Sequence, residues 1–448
     1  MSRASFLKLA RLRRDGTTLF MASSLLINLL RIVSTVALTR LLNPADFGAM
    51  GIVASIQFVL IMISDVGFFA YVMRKADEGE KQRQLLDEVW TLRLIRGFAL
   101  SVAIAAASWG IADAIDKPQL ALLIAVGGAQ LAIEGLSSMA FATGAKQGQI
   151  GRLALLDLLP AVLQIGVSIL LALLLRSYWA IMLAALLSSS LKVVLSYTLF
   201  PDSQRRFAPS LVRARKLWTF GRFIAGSSIA QIIVSQTDKL VFARLFSLHQ
   251  FGYYSLATNL TGLPQNIMAN YSPRLLFPAF VKAHEEAPAA LADCYYRTGR
   301  AMRMAYMLGA GALIAVAPLV VGLLYGERYL GVIPYVQLLA CAVVFRLPVV
   351  VANDLILATG NTAHGLRISL FRALWLAASA AILFALAGSW GLVAAVVGVE
   401  AVSQVYCWTV LRRIGLLRPA HEIRFYAMVP TGYILGAAVN AAGLRLLS

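Results

Sequence analysis

Arg40-Leu41-Leu42-Asn43-Pro44-Ala45-Asp46-Phe47-Gly48 and Arg244-Leu245-Phe246-Ser247-Leu248-His249-Gln250-Phe251-Gly252 stand 204 residues apart and follow one frame. Each opens on Arg-Leu, carries a small polar residue at the fourth place and an acid or amide at the seventh, and closes on Phe-Gly. Ser23-Ser24 and Ser227-Ser228 precede them at the same offset. A chain that repeats a helix, a turn and the start of the next helix at half its length reads as a doubled unit. Ala142-Thr143-Gly144 and Ala358-Thr359-Gly360 form a second echo, at an offset of 216. Each glycine is suited to closing a helix, and the longer offset predicts a small insertion in the second half.

The solvent around this unit is mostly lipid. Of the 448 residues, 60% are hydrophobic and 14% charged, with a mean hydropathy of +0.76, which excludes an ordinary soluble multidomain protein. The apolar runs reach about 20 residues, the length of a helix crossing a bilayer. Unpaired backbone groups are costly in lipid, so the crossings are helical; the runs are too long for barrel strands. Windows between polar breaks predict crossings over 17–39, 48–73, 90–111, 120–143, 153–175, 178–200, 219–243, 251–273, 303–325, 332–358, 367–387, 390–411 and 425–444. The last is the weakest, with a re-entrant or interfacial helix as its alternative. The first run follows a basic segment, lacks a small-residue cleavage site and reads as a retained helix.

Charge gives the orientation. With the N-terminus inside, thirty of the forty Lys and Arg fall in or beside cytoplasmic connections and six in outer ones, Arg40, Lys117, Arg176, Arg244, Arg328 and Arg445. That bias follows the positive-inside pattern. It also accounts for the net charge of +19 without nucleic acid, because the excess alternates along the chain instead of forming one patch. Six crossings per repeat is an even number, so the halves are parallel repeats. The expected fold is all-α and polytopic: two parallel six-helix lobes around a central cavity, with an additional C-terminal helix. Its parts are a basic cytoplasmic segment 1–16, a first lobe 17–200, a basic cytoplasmic linker 201–218, a second lobe 219–411 and an extension 412–448 carrying the thirteenth helix.

The words along the chain resemble those of the polysaccharide exporters and lipid-linked oligosaccharide flippases of the multidrug/oligosaccharidyl-lipid/polysaccharide superfamily. The matching stretches are Thr39 to Gly48, Ser64-Asp65-Val66-Gly67, Phe220-Gly221-Arg222-Phe223, Asp238 to Leu245, Phe251 to Ala257 and Leu275 to Phe280. Their order and spacing carry the resemblance from about residue 17 to residue 411. It implies a transporter that moves undecaprenyl-pyrophosphate-linked glycan by alternating access, from the cytoplasmic to the periplasmic leaflet of the bacterial inner membrane. It also implies a cationic lumen that includes a first-helix arginine, although this sequence has no dense arginine cluster there. The implied partners are the lipid-linked oligosaccharide, membrane lipids and polysaccharide assembly proteins; the two lobes within one chain favour a functional monomer.

Charges inside crossings call for explanation, since one at a helix centre costs about 2.5–3.5 kcal/mol. Arg31 and Arg346 lie far from any predicted helix end, and Arg372 about a turn inside crossing eleven. Guanidinium stays charged and grips phosphate oxygens with planar donors. These three are candidate head-group ligands; the alternative for Arg31 and Arg346 is pairing with a bundle acid such as Asp65 or Asp354. Asn259, Asn266 and Asn270 recur at spacings of seven and four on a crossing that Pro264 should bend, and suit either a lumen wall or interhelical hydrogen bonding. Asp65, Glu134, Asp157, Asp238, Lys239, Asp354 and Glu400 are gating or coupling candidates, or neutralise buried bases. Adjacent Asp238 and Lys239 point about 100° apart on a helix and do not pair on one face. Arg40 and Arg244 are expected to brace the two outer turns.

No catalytic residues, cofactor or metal are implied. Cys294, Cys341 and Cys407 and His249, His284, His364 and His421 show no ligand spacing. Three rivals stay open. A multidrug or organic-cation antiporter of the same superfamily would need a compact acid-centred site. A membrane glycan polymerase or ligase would need a large outer loop and a nucleophile with its base. A noncatalytic membrane scaffold would need neither a doubled unit nor buried charges.

Overall fold

The computed structural model describes residues 23, 26–65, 67–74, 79–200, 203–272, 276–286, 291–298, 300–360 and 363–447. The segment 1–16 and some helical side chains, among them 222–235 and 263–271, lie outside the described residues. Secondary structure among the described residues is helical throughout, with no strand. The chain divides into two compact units, Met1–Ile232 and Ile233–Ser448.

The first unit holds α1 (26–41), α2 (Pro44–Ser64), α3 (Phe68–Arg74), α4 (Gly79–Ala114), a 3-10 turn (Pro118–Leu120), α5 (Ala121–Gly135), α6 (Ala140–Lys146), α7 (Ile150–Leu175) and α8 (Trp179–Thr198). α9 (Leu211–Leu245) continues from one unit into the other. The second holds α10 (Leu248–Tyr271), α11 (Phe277–Glu286), α12 (Leu291–Arg297), α13 (Arg300–Tyr325), a 3-10 turn (Glu327–Val332), α14 (Ile333–Ala358), α15 (Ala363–Arg413), α16 (Pro419–Tyr426) and α17 (Met428–Leu447). Eight helical segments among the described residues are long and apolar enough to span a bilayer. One of these, within α15, contains two helices joined at Gly388, whose φ of 56° and ψ of −134° interrupt the helical backbone. Such a φ suits glycine, and it separates crossings eleven and twelve where the apolar windows divide.

The repeated words are helix starts built on one device. Asn43 precedes α2, where its backbone N–H donates to Asp46 Oδ2 at 2.9 Å and its side chain accepts from the Asp46 backbone. Ser247 precedes α10; its N–H donates to Gln250 Oε1 at 3.1 Å, and its hydroxyl accepts the Gln250 N–H at 3.2 Å. Both are capping boxes, each satisfying two backbone donors that a helix start leaves open. Different residues therefore do the same work at equivalent places. Asp46 adds a second bond, accepting the Tyr178 N–H at 2.9 Å, and so ties the α2 start to that of α8.

Two of the crossings drawn as continuous are broken. The second stops at Ser64, because Asp65 Oδ1 accepts the Gly67 N–H at 2.9 Å and Gly67 takes a φ of 73°. A local side-chain bond of this kind competes with the helix ladder. The fourth stops at Gly135, where Ser138 donates its N–H to Ser196 Oγ at 2.8 Å and its hydroxyl to the Ser203 carbonyl at 2.7 Å. Apolarity alone does not reveal such breaks.

The last helix, α17, has 20 residues and lies outside the eight segments that are long and apolar enough to span. α17 runs parallel to α13, with Gly432 against Leu308, Gly436 against Ala312 and Gly443 against Leu319. A Cβ on Gly432 would stand 2.0 Å from the Leu308 carbonyl oxygen, and one on Gly436 2.5 Å from that of Ala312. Small residues at a four-residue spacing let two membrane helices meet backbone to backbone. The register keeps one offset along the contact, so α17 packs beside α13 over much of its length.

Candidate functional site: buried arginines around a shared carboxylate

In the second unit, α14 and the two halves of α15 bring Arg346, Arg372 and Glu400 together. Arg372 Nη2 lies 2.6 Å from Glu400 Oε1, and Arg346 Nε lies 3.4 Å from the same oxygen. The Glu400 side chain is 5% exposed, Arg372 16% and Arg346 34%. Two guanidinium groups over one carboxylate leave a net positive charge, and Arg346 is the member that reaches open space. Glu400 Oε2, Arg372 Nε and both amide atoms of Gln404, one turn beyond Glu400, are buried without a hydrogen-bond partner among the described residues. Buried polar groups are ordinarily bonded, so this cluster retains capacity for water or a ligand. Gln404 carries no charge and sits in an apolar run, which is why sequence reading passed over it.

The pairings differ from those drawn on the sequence. Arg346 pairs with Glu400 and not with Asp354, whose carboxylate accepts the Ser272 hydroxyl. Asp65 lies 4.0 Å from Arg96 Nη1, which also donates to the Ser64 carbonyl at 3.2 Å. Arg31 is exposed on α1, with no carboxylate paired to it among the described residues. Asp238 accepts the Tyr254 hydroxyl, while Lys239 on the next residue makes no described ion pair. Asn259 is exposed; the side chains of Asn266 and Asn270, with Pro264, lie outside the described residues.

The first unit has polar contacts of its own. Gln130 donates to Glu134 Oε1 at 3.3 Å and to Ser189 Oγ at 3.1 Å, and Gln57 reaches the Gly127 carbonyl at 2.6 Å. These bonds knit α2, α5 and α8 together. Lys192 Nζ and Asp157 Oδ1 meet at 2.8 Å between α8 and α7, each side chain nearly half exposed. Arg93 and Arg96, counted among the loop-side bases, stand over the rings of Phe141 and Phe68 at 5.8 and 5.0 Å. Those ring contacts were not legible in the sequence because Phe68 and Phe141 follow helix breaks. No group of three or more His, Cys, Asp or Glu among the described residues could hold a metal.

This is a multi-pass, all-α membrane protein with basic groups inside its helical units. A family model described as "Polysaccharide biosynthesis protein" matches residues 37–334, and the chain belongs to that family, in the polysaccharide-export branch of its superfamily. It is 24% identical over 251 residues to the succinoglycan biosynthesis transport protein ExoT of Rhizobium meliloti (strain 1021), covering 56% of this chain and 50% of that one. It is 21% identical over 322 residues to the lipopolysaccharide biosynthesis protein WzxC of Escherichia coli (strain K12), covering 71% and 64%. The chain thus matches about half to two thirds of the length of these relatives. Among solved structures, the fold is similar to the lipid II flippase MurJ in an inward closed conformation, with a TM-score of 0.73 and 12% identity over 95% of this chain and 93% of that one. It is also similar to an inward-facing multidrug resistance transporter of the MATE family, with a TM-score of 0.69 and 18% identity over 90% and 96%.

Proposed function

We propose that this protein moves an undecaprenyl-pyrophosphate-linked glycan across the bacterial inner membrane by alternating access, without cutting the pyrophosphate. The Arg346–Glu400–Arg372 cluster carries the proposal. Its shared carboxylate holds two guanidinium groups in a membrane helix bundle while leaving one positive charge uncompensated. A pyrophosphate supplies the charge and the acceptors that such a cluster lacks. Family membership supports a glycan cargo, and relatives named for succinoglycan and lipopolysaccharide biosynthesis point the same way. Arg31, in the first unit, is assigned a phosphate contact as well: it is a charge midway along a crossing, with no carboxylate paired to it among the described residues.

In this scheme residues 17–200 and 219–411 act as the two six-helix lobes, 201–218 as their cytoplasmic linker and 412–448 as an accessory segment. Asp65, Glu134, Asp157, Asp238, Lys239 and Asp354 serve as structural or gating groups, and Asn259, Asn266 and Asn270 as polar lining. The protein works as a monomer, with its N-terminus in the cytoplasm, beside other polysaccharide assembly proteins. A cation antiporter is disfavoured because Asp65, Asp157 and Glu400 are each engaged by a base. Proteoliposomes loaded with a labelled lipid-linked glycan test the reading. Transfer of intact substrate is expected, with Arg31→Ala and Arg346→Ala slowing transfer in folded protein and Arg31→Lys restoring part of it. Pyrophosphate cleavage in step with transfer would make the protein an enzyme, and unchanged affinity and flux in both alanine variants would remove the arginines from the site.

A further inference from the structure

A basic cavity lined by other residues lies outside the Arg346 cluster. About 310 Å³ in volume, it is enclosed by α12, the first turns of α13, the short helix α16 and the start of α17. Arg297, Arg300, Arg418 and Arg424 line it with one acid, Asp293, so that four positive charges face one negative. Asp293 is held by Arg418. Arg297, Arg300 and Arg424 are exposed and make no described ion pair.

The cavity wall is built rather than incidental. Tyr296 accepts the Arg418 backbone N–H at 2.9 Å, and its ring lies 4.9 Å from His421 and 6.5 Å from Phe425. Beneath it, Arg303 is 2% exposed, stacks over Tyr295 at 4.4 Å and Phe425 at 4.7 Å, and donates to the Tyr295 carbonyl. The arginines of the rim therefore project from a rigid aromatic floor.

Position tells which anion fits. Arg300 and Met428 are the first residues of α13 and α17, so the cavity opens where two apolar helices begin. Helix α16 buries Phe425 and Glu422 while leaving Ile423 68% exposed, the division of faces seen in a helix lying along a membrane interface. Trp408 packs against its last residue, Tyr426, their rings 5.7 Å apart, as aromatic side chains do at headgroup depth. Basic pockets at that depth attract anionic headgroups.

We infer that the cavity between α12, α13 and α16 binds the phosphate group of an anionic membrane lipid, gripped by Arg297, Arg300 and Arg424 against the Tyr296 ring. The site does not depend on the transported cargo, and binding is read without transport. The full-length protein in detergent is titrated with phosphatidylglycerol, with phosphatidylcholine of the same chains and with inorganic phosphate, and bound ligand is measured by native mass spectrometry. Phosphatidylglycerol should bind at least tenfold more tightly than phosphatidylcholine, and Arg297→Gln/Arg300→Gln/Arg424→Gln should abolish that preference. Millimolar inorganic phosphate that displaces the lipid identifies the shared phosphate chemistry; equal occupancy by phosphate alone assigns the site to a free anion. A headgroup-photoactivatable phosphatidylglycerol on the unmodified protein should label residues 291–304 or 418–428. Equal affinity for the two lipids, a folded triple variant that keeps the preference, or labelling confined to other segments overturns the assignment.

Discussion

Arg372 and Glu400 lie 28 residues apart in the chain, and their side chains meet at 2.6 Å across the break at Gly388. Glu400 is the more deeply buried partner, and its second oxygen has no hydrogen-bond partner among the described residues. The pair thus joins a structural need to an unfilled binding capacity.

Removing one side of a buried pair strands the other, at a cost of about 3–5 kcal/mol. Arg372→Ala should therefore lower thermal stability in detergent markedly, and adding Glu400→Gln should recover much of the loss. Arg346→Ala should destabilise far less, because Arg346 is a third exposed and stands farther from the carboxylate. Equal melting temperatures for Arg372→Ala and wild type would show that the pair does not hold the fold.

Asp157 and Lys192 occupy crossings five and six, as Arg372 and Glu400 occupy eleven and twelve, with the signs exchanged. Both members are nearly half exposed in a membrane crossing, where an unpaired charge costs about 2.5–3.5 kcal/mol. Asp157→Asn or Lys192→Met alone should reduce the yield of folded protein in the membrane, and the double variant should restore it. Yields that simply multiply across the two single changes would deny the coupling.

Gly432→Leu and Gly436→Leu should each separate α17 from α13, because the new Cβ would meet backbone oxygen at 2.0 and 2.5 Å. Backbone cannot yield as a side-chain tip can, so a loss above the roughly 1–3 kcal/mol of ordinary overpacking is expected. Thermal unfolding gives the size.

Burial raises the Glu422 carboxyl above its ordinary value of 4.5, with Arg303 opposing the shift. Between those two values the fold retains a proton that the unfolded chain has released, so stability falls as pH rises through the window. Glu422→Gln should flatten that decline and raise the melting temperature at neutral pH. A variant with the same pH profile as wild type would place the effect elsewhere.

The proposed orientation predicts that single cysteines near residues 80, 148, 210, 288, 364 and 418 are shielded from a membrane-impermeant reagent added outside, in a chain with Cys294, Cys341 and Cys407 replaced. Outside labelling at two or more of these positions would reverse the map.

Much of the helical framework was legible in the sequence. Apolar length sets where a chain can enter lipid, and backbone hydrogen bonding makes each such stretch a helix; each of the thirteen windows falls on helix among the described residues, with breaks inside the second and fourth and a turn at Ala427 near the start of the thirteenth. The repeated Asn43–Asp46 and Ser247–Gln250 starts were visible as a shared frame, because a capping box is local. Three-dimensional packing decided what lies far apart in the chain. It gave Glu400 to Arg346 and Arg372 instead of leaving Asp354 as partner, revealed Gln404 as a buried amide without a hydrogen-bond partner among the described residues, and seated α17 on α13 through Gly432 and Gly436. Periodicity places a residue on a face, but partner choice depends on how whole helices meet, and that is settled by packing along their entire length.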